Sequence, residues 1–147
     1  MEVEFAGGLR GRLYVPDGEG PFAAVAMAHG FSATIGMGVT AWAERLCDAG
    51  YVALAYDHRH LGASDGEPRG LVDWALQARD LVEAIDFLAA RPEVDPDRLA
   101  TWGSSYSGAQ GAWVAARRLR SHAISPYPHR RRPRQRALIL IPRCPPC

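Results

Sequence analysis

At 147 residues the chain is long enough for one domain with a sizeable core, and no apolar run approaches the ~18 residues that cross a bilayer. Residues 1–5 are acidic where a secretory signal would be basic and then apolar, so we expect a soluble, cytoplasmic protein. All 16 acidic residues precede residue 98, whereas nine of the 17 arginines fall in residues 117–147, which predicts two kinds of sequence joined near residue 117.

Three stretches in the first half of the chain predict strands. Residues 11–15 alternate apolar and polar side chains before a Pro-Asp-Gly turn, a pattern typical of an outer antiparallel strand. Residues 22–28 and 51–56 are almost continuously apolar, which is typical of strands covered on both faces.

Helices are predicted between and after these strands. An amphipathic helix is expected over residues 39–49, ending at Gly50. Residues 71–91 place apolar side chains on one helical face, and we expect this face and the four tryptophans to lie in the core, with Asp80 and other charged residues elsewhere. This alternation of strands and helices implies a mostly parallel sheet with helices on both faces.

A serine stands where a strand gives way abruptly to a helix. The apolar core of residues 97–102 predicts a buried strand, and residues 109–116 are typical of a helix start. Small residues around the turn, among them Gly103 and Gly108, allow the backbone to bend tightly. Such a turn projects the hydroxyl of Ser105 at the end of the sheet, which is the position of a nucleophile.

Hydrolysis through a serine also requires backbone N–H groups that stabilise the developing oxyanion. The segment His29-Gly30-Phe31 directly follows a predicted buried strand, and Gly30 allows the N–H of Phe31 to turn inward. The N–H of Tyr106, which follows the nucleophile at the start of a helix, is the second expected donor.

Residues 1–117 resemble an α/β-hydrolase, in particular the bacterial dienelactone-hydrolase-like and X-Pro dipeptidyl-peptidase-like serine hydrolases. Residues 29–31, 57–66 and 103–108 carry the resemblance, since they match the family's motifs in order and spacing. The resemblance implies an α/β-hydrolase-type, mostly parallel sheet that is truncated after the nucleophile turn. A serine rather than a cysteine at position 105 argues against a true dienelactone hydrolase.

The loops beside the predicted nucleophile carry further candidate site residues. The resemblance implies that His29 braces the oxyanion loop rather than acting as a base. Asp57 and Arg59 are interpreted as part of a network of hydrogen bonds and ion pairs that holds the site's shape. We expect His58 and His60 to face solvent or the loop interior.

The usual partners of the serine are missing from the sequence. In this fold the acid and the histidine follow the nucleophile, yet no Asp or Glu follows Asp97. His122 and His129 lie in an Arg/Pro-rich stretch without an acid to orient them. We therefore expect residues 1–117 to be the N-terminal part of a hydrolase domain, its last strand an unpaired edge. Residues 118–147 are expected to be a disordered or out-of-frame tail.

The sequence thus predicts a serine hydrolase for a small ester, amide or related carbonyl substrate, in a chain that is itself an inactive fragment. The alternatives are a nucleic-acid-binding protein that uses the arginine run 129–136, and a non-functional truncated product. The run lacks the interleaved aromatic residues that would stack on bases, which disfavours nucleic acid as a partner. Cys144 and Cys147 have the spacing of a metal or redox pair but no second ligand pair, so no metal and no cofactor are expected. Nothing in the sequence indicates an oligomeric state.

Overall fold

The structure, a computed structural model, describes residues 1–118 and the residue pair 139–140. Within these residues lie six strands and three helices: β1 (Glu2–Phe5), β2 (Leu9–Tyr14), β3 (Phe22–Ala28), α1 (Val39–Asp48), β4 (Val52–Tyr56), α2 (Trp74–Ala89), β5 (Val94–Gly103), α3 (Tyr106–Arg118) and β6 (Ile139–Leu140).

The six strands form one sheet in the order β1-β2-β4-β3-β5-β6. The pairs β1–β2 and β2–β4 are antiparallel, and the remaining neighbours are parallel. The predicted fold class, a mostly parallel sheet with helices, is therefore confirmed. The antiparallel strand expected over residues 11–15 is β2. It is not the outermost strand, because β1 pairs with it on the side away from β4.

Alternate residues of the central strands enter two separate cores. In β3, Ala24, Ala26 and Ala28 pack on the side of the sheet that α2 and α3 cover. Val25 and Met27 point the other way and pack with buried residues of α1. The nearly continuous apolar run of β3 follows from this arrangement, since a strand with helices on both faces has no solvent-exposed side.

Helix α2 is shorter than its apolar pattern indicated. It begins at Trp74 because the side chain of Asp73 accepts the backbone N–H of Leu76 at 2.7 Å and so caps the helix. Leu71, expected on the core-facing stripe, precedes the helix and is 41% exposed. Asp80, expected away from the core, is completely buried.

The expectation that all four tryptophans lie in the core is wrong. Only Trp102, on the central strand β5, is buried. Trp42, Trp74 and Trp113, one on each of the three described helices, are 41%, 36% and 39% exposed. Trp74 and Trp113 line an apolar groove of about 450 Å³ between α2 and α3.

The predicted tail lies largely outside the described residues. Residues 119–138 and 141–147, with His122, His129 and the pair Cys144 and Cys147, belong to that part. Strand β6 pairs with Thr101 and Trp102 of β5, so the edge that the sequence predicted to be bare is occupied there. Among the helices that the structure describes, none combines the length and apolarity needed to span a membrane.

Candidate active site

Ser105 occupies a tight turn between a strand and a helix. Strand β5 ends at Gly103 and helix α3 begins at Tyr106, which leaves two serines to make the whole connection. Ser105 has a φ of 53°, in the left-handed region that a residue with a Cβ adopts only at an energetic cost. This is the backbone geometry of a nucleophile on a strand-to-helix elbow. Within residues 1–118 its exposed hydroxyl has no hydrogen-bond partner.

The turn leaves no room for a side chain at Gly103. A Cβ at this position would lie 2.4 Å from the backbone carbonyl carbon of Ser107, far inside van der Waals contact. At Gly108 the same addition would lie 3.1 Å from the carbonyl oxygen of Gly103, a tighter contact than most Cβ atoms make. The end of β5 and the first turn of α3 are therefore packed backbone against backbone.

The loop after β3 lies beside this turn. A Cβ at Gly30 would be 3.4 Å from the carbonyl oxygen of Ser104, so the two backbone segments are neighbours. The ring of Phe31 meets the ring of Tyr106 edge to face, with centroids 5.5 Å apart. The two residues whose N–H groups were predicted to stabilise an oxyanion thus lie next to each other, one on each side of the turn that carries Ser105.

His29 is buried and both of its ring nitrogens face backbone groups. Nδ1 lies 3.0 Å from the carbonyl oxygen of Gly30, and Nε2 accepts the backbone N–H of His58 at 3.3 Å. These contacts fix a neutral imidazole with its proton on Nδ1. Burial lowers the pKa of His29, which outweighs the opposing effect of Asp57, whose carboxylate oxygen lies 3.9 Å from Nε2.

Asp57 connects two loops through its buried carboxylate. Oδ1 accepts the N–H of Ile35 at 2.8 Å, and Oδ2 accepts the N–H of Ala63 at 3.0 Å. A Cβ at Gly62 would lie 2.0 Å from Oδ2, so only glycine allows the second loop to approach this closely. The carboxylate therefore holds the loop after β3 against the loop after β4.

Arg59 fastens the same loop to helix α2. Its guanidinium lies 3.1 Å from Oδ1 of Asp80 and also pairs with Glu83. The backbone N–H of Arg59 donates to the other oxygen of Asp80 at 3.0 Å. His58 lies in this cluster, with Nδ1 3.4 Å from Asp80, and it is 1% exposed. His58 was expected to face either solvent or the loop interior, and its burial excludes solvent.

None of the histidines within residues 1–118 is bonded to Ser105. His29 and His58 are buried in the contacts described above, and Nδ1 of His60 lies 3.0 Å from the carbonyl oxygen of Pro68. The same residues hold no group of three or more acidic, histidine or cysteine side chains placed to bind a metal ion. What the described residues bring together is the exposed Ser105 and the two residues whose N–H groups are the predicted oxyanion donors.

Two residues near the site were not singled out from the sequence. The turn needs only a small residue at Ser107, yet this side chain is buried and its Oγ contacts backbone atoms of both β3 and the elbow. Asp80, expected away from the apolar face of its helix, is completely buried. The motif contains a signal for Ser107, since a serine occupies a position at which a glycine would suffice for the turn. No local signal marked Asp80.

Comparisons with known proteins show which family the chain is similar to. The family model described as X-Pro dipeptidyl-peptidase (S15 family) matches residues 8–126. The chain is 38% identical over 112 residues to the quorum-quenching protein AidA of Acinetobacter baumannii (strain MDR-ZJ06), a match that covers 76% of this chain and 37% of that protein. It is 40% identical over 107 residues to the thiohydrolase aneE of Aspergillus aculeatus, covering 73% of this chain and 33% of that protein.

A solved structure extends the comparison to the fold. The crystal structure of the α/β-hydrolase GrgF from Penicillium sp. sh18 superposes with a TM-score of 0.72 at 32% sequence identity. The match covers 80% of this chain and 40% of that one. The chain thus spans about a third of the length of the curated relatives that it matches.

Proposed function

This chain belongs to the X-Pro dipeptidyl-peptidase (S15) family of α/β-hydrolases, and on that premise we propose that it carries a serine hydrolase site with Ser105 as the nucleophile. The observation that supports the proposal most directly is the left-handed backbone of Ser105, which presents an exposed hydroxyl at the carboxyl end of β5. A strained backbone at a residue with no structural need for it is typical of functional sites.

The chemistry is acyl transfer. Oγ of Ser105 attacks the carbonyl carbon of the substrate, and its proton passes to a base. The carbonyl oxygen becomes an oxyanion, which accepts the N–H groups of Phe31 and Tyr106. Departure of the leaving group, with a proton, produces an acyl-serine, and water then releases the acid and regenerates the hydroxyl.

We further propose that this chain on its own is a weak catalyst. Residues 106–147 contain no acidic residue, and both ring nitrogens of His29 are engaged with backbone groups. Without an acid to orient a histidine as the base, the hydroxyl remains protonated at neutral pH and attacks slowly. Loss of a triad member costs on the order of 10⁴–10⁶ in rate in serine hydrolases, so we expect activity near that reduced level.

The proposed substrate is a small molecule with an apolar acyl group attached through an ester or thioester. Phe31 is 66% exposed and Trp74 is 36% exposed, and both rings meet the ring of Tyr106, the residue after the nucleophile. Three aromatic rings beside Ser105 suit an apolar acyl group better than a charged one. A thioester is included among the proposed substrates because the relative from Aspergillus aculeatus is a thiohydrolase.

Imidazole added to the buffer tests the proposal, because it can serve as the missing base. The full chain is incubated with p-nitrophenyl acetate with and without imidazole, and acetylated peptides are identified by mass spectrometry. We expect acetylation of Ser105 at a rate that rises with imidazole concentration, and none at this position in Ser105→Ala. Acetylation spread over other residues and unaffected by Ser105→Ala would refute the proposed nucleophile.

A further inference from the structure

We propose that Ser107 is a positioning residue for the oxyanion hole, a role that rests on the function proposed for Ser105. The side chain of Ser107 is 1% exposed, at the start of α3. Its Oγ lies 3.0 Å from the backbone nitrogen of Ser104 and 2.9 Å from the carbonyl oxygen of Ala28. Ala28 is 79 residues away in the chain, so this contact joins distant segments.

The hydroxyl of Ser107 serves both backbone groups at once. A serine hydroxyl has one proton to donate and lone pairs to accept. It therefore accepts the N–H of Ser104 while donating to the carbonyl of Ala28, with the carbonyl oxygen of Ser104, 3.1 Å away, as the alternative acceptor. The parallel pairing of β3 with β5 ends at Ala28 and Gly103. The hydroxyl continues the link between the two strands one step beyond the last paired residues.

This link lies between the two halves of the proposed oxyanion hole. Ala28 is followed by the loop that carries the N–H of Phe31, and Ser104 is followed by Ser105 and the N–H of Tyr106. An oxyanion hole works only when its donors are held in fixed positions around the place where the charge develops. Because the two donors follow the ends of two different strands, a bond that fixes one strand end against the other also fixes the donors.

A glycine at position 107 would permit the turn but not make this bond. Without this hydroxyl the carbonyl of Ala28 loses a hydrogen-bond donor, which favours a backbone shift that gives it another one. The loop after β3 can then move relative to the elbow. Ser107 thus acts on the reaction through the positions of Phe31 and Tyr106, without touching the substrate.

Two substitutions, Ser107→Ala and Ser107→Gly, remove the hydroxyl in the full chain. Thr101→Val is the matched control. Thr101 lies on β5 just before the elbow, and its hydroxyl is also buried but has no hydrogen-bond partner among the described residues. Two quantities are measured: amide hydrogen exchange at Ser104 by NMR, and the acetylation of Ser105 in imidazole buffer as a function of p-nitrophenyl acetate concentration.

We expect exchange at Ser104 to accelerate about tenfold in both Ser107 variants, since one hydrogen bond is lost. The limiting rate of acetylation should fall about tenfold while the half-saturating concentration stays the same, because transition-state contacts are affected and ground-state binding is not. Thr101→Val should change neither quantity. A purely structural role would instead lower the amount of folded protein without this selective loss of the limiting rate.

The outcomes separate the two proposals. If Ser105 in the unaltered chain is not acetylated at all, the proposed function fails. Unchanged exchange of the Ser104 amide in Ser107→Ala would overturn the role of Ser107 whether or not Ser105 reacts. So would a limiting rate in Ser107→Ala equal to that of the unaltered chain.

Discussion

The carboxylate of Asp80 is completely buried, and its Oδ1 lies 3.1 Å from the guanidinium of Arg59. The second oxygen of Asp80 accepts the backbone N–H of Arg59 at 3.0 Å. Helix α2 is thereby joined to the loop after β4, and Asp57 in the same loop holds it against the loop that carries Phe31. The shape of the candidate site depends on a charge pair that no short motif contains.

Asp80→Ala should destabilise the chain strongly. It removes the carboxylate that faces Nη1 of Arg59 and accepts the backbone N–H of the same residue, and removal of one partner of a buried pair costs about 3 kcal/mol or more. The free energy of unfolding, measured by urea denaturation, should fall by this amount. Glu83→Gln is the control, since Glu83 also pairs with Arg59 but is 37% exposed, and it should cost less than about 1 kcal/mol. If the free energy of unfolding fell equally in the two variants, the buried Asp80 would not be the more important partner of Arg59.

Gly103→Ala should disrupt the elbow. The new Cβ would have to occupy space 2.4 Å from a backbone carbon of α3, which cannot yield as a flexible side chain would. We expect a loss of about 3 kcal/mol in the free energy of unfolding, or failure to fold. Gly36→Ala is the matched control, because its Cβ would have no neighbour closer than 3.8 Å and its φ is not in the left-handed range. It should be neutral or stabilising by up to about 1 kcal/mol. Similar thermal unfolding of both variants would show that the elbow is looser than the structure indicates.

The sequence predicted those features that depend on nearby residues. Apolar runs located the central strands, and the elbow was apparent because Gly103 and Ser105 are only two residues apart. It missed β1, whose short alternating pattern indicates a strand only once residues 6–8 turn the chain back and Leu9 pairs with Phe5.

Contacts between residues that are far apart in the chain leave no local pattern in the sequence. The burial of Asp80 depends on Arg59, 21 residues earlier, and the contact of Ser107 depends on Ala28. The exposure of Trp74 was equally hidden, since periodicity shows which residues share a helical face but not which part of that face the neighbouring helix covers.

Acidification should destabilise the chain through His29. Burial lowers the pKa of this imidazole, so the unfolded chain binds more protons at this position than the folded chain. The stability that the neutral ring contributes is present above the unfolded pKa of about 6.5 and is lost as the pH falls below it.

Between pH 7 and pH 5 we therefore expect the free energy of unfolding to decline, with a contribution from His29 of up to about 1.4 kcal/mol per pH unit. His29→Asn should remove that contribution, since the amide keeps a donor for the carbonyl of Gly30 but does not titrate. If the slope is unchanged in His29→Asn, another group is responsible for the acid sensitivity.

Trp74→Ala should reduce the preference of Ser105 for longer acyl groups. The ring of Trp74 lies edge to face against Tyr106, with centroids 5.2 Å apart, and forms one wall of the groove between α2 and α3. Each methylene that a substrate buries against such a wall contributes about 0.8 kcal/mol, or roughly a fourfold rate preference per carbon. Acetyl and hexanoyl p-nitrophenyl esters are compared in imidazole buffer by the rate at which Ser105 is acylated.

The hexanoyl-to-acetyl ratio should fall severalfold in Trp74→Ala. Trp42→Ala is the matched control, because Trp42 is exposed to a similar degree, 41% against 36%, but lies on α1, on the opposite face of the sheet. Its ratio should equal that of the unaltered chain. A fall of the same size in both variants would mean that the loss of an exposed aromatic ring affects the whole domain. An unchanged ratio in Trp74→Ala would place the acyl group elsewhere, on the side of Phe31, whose ring meets Tyr106 from another direction.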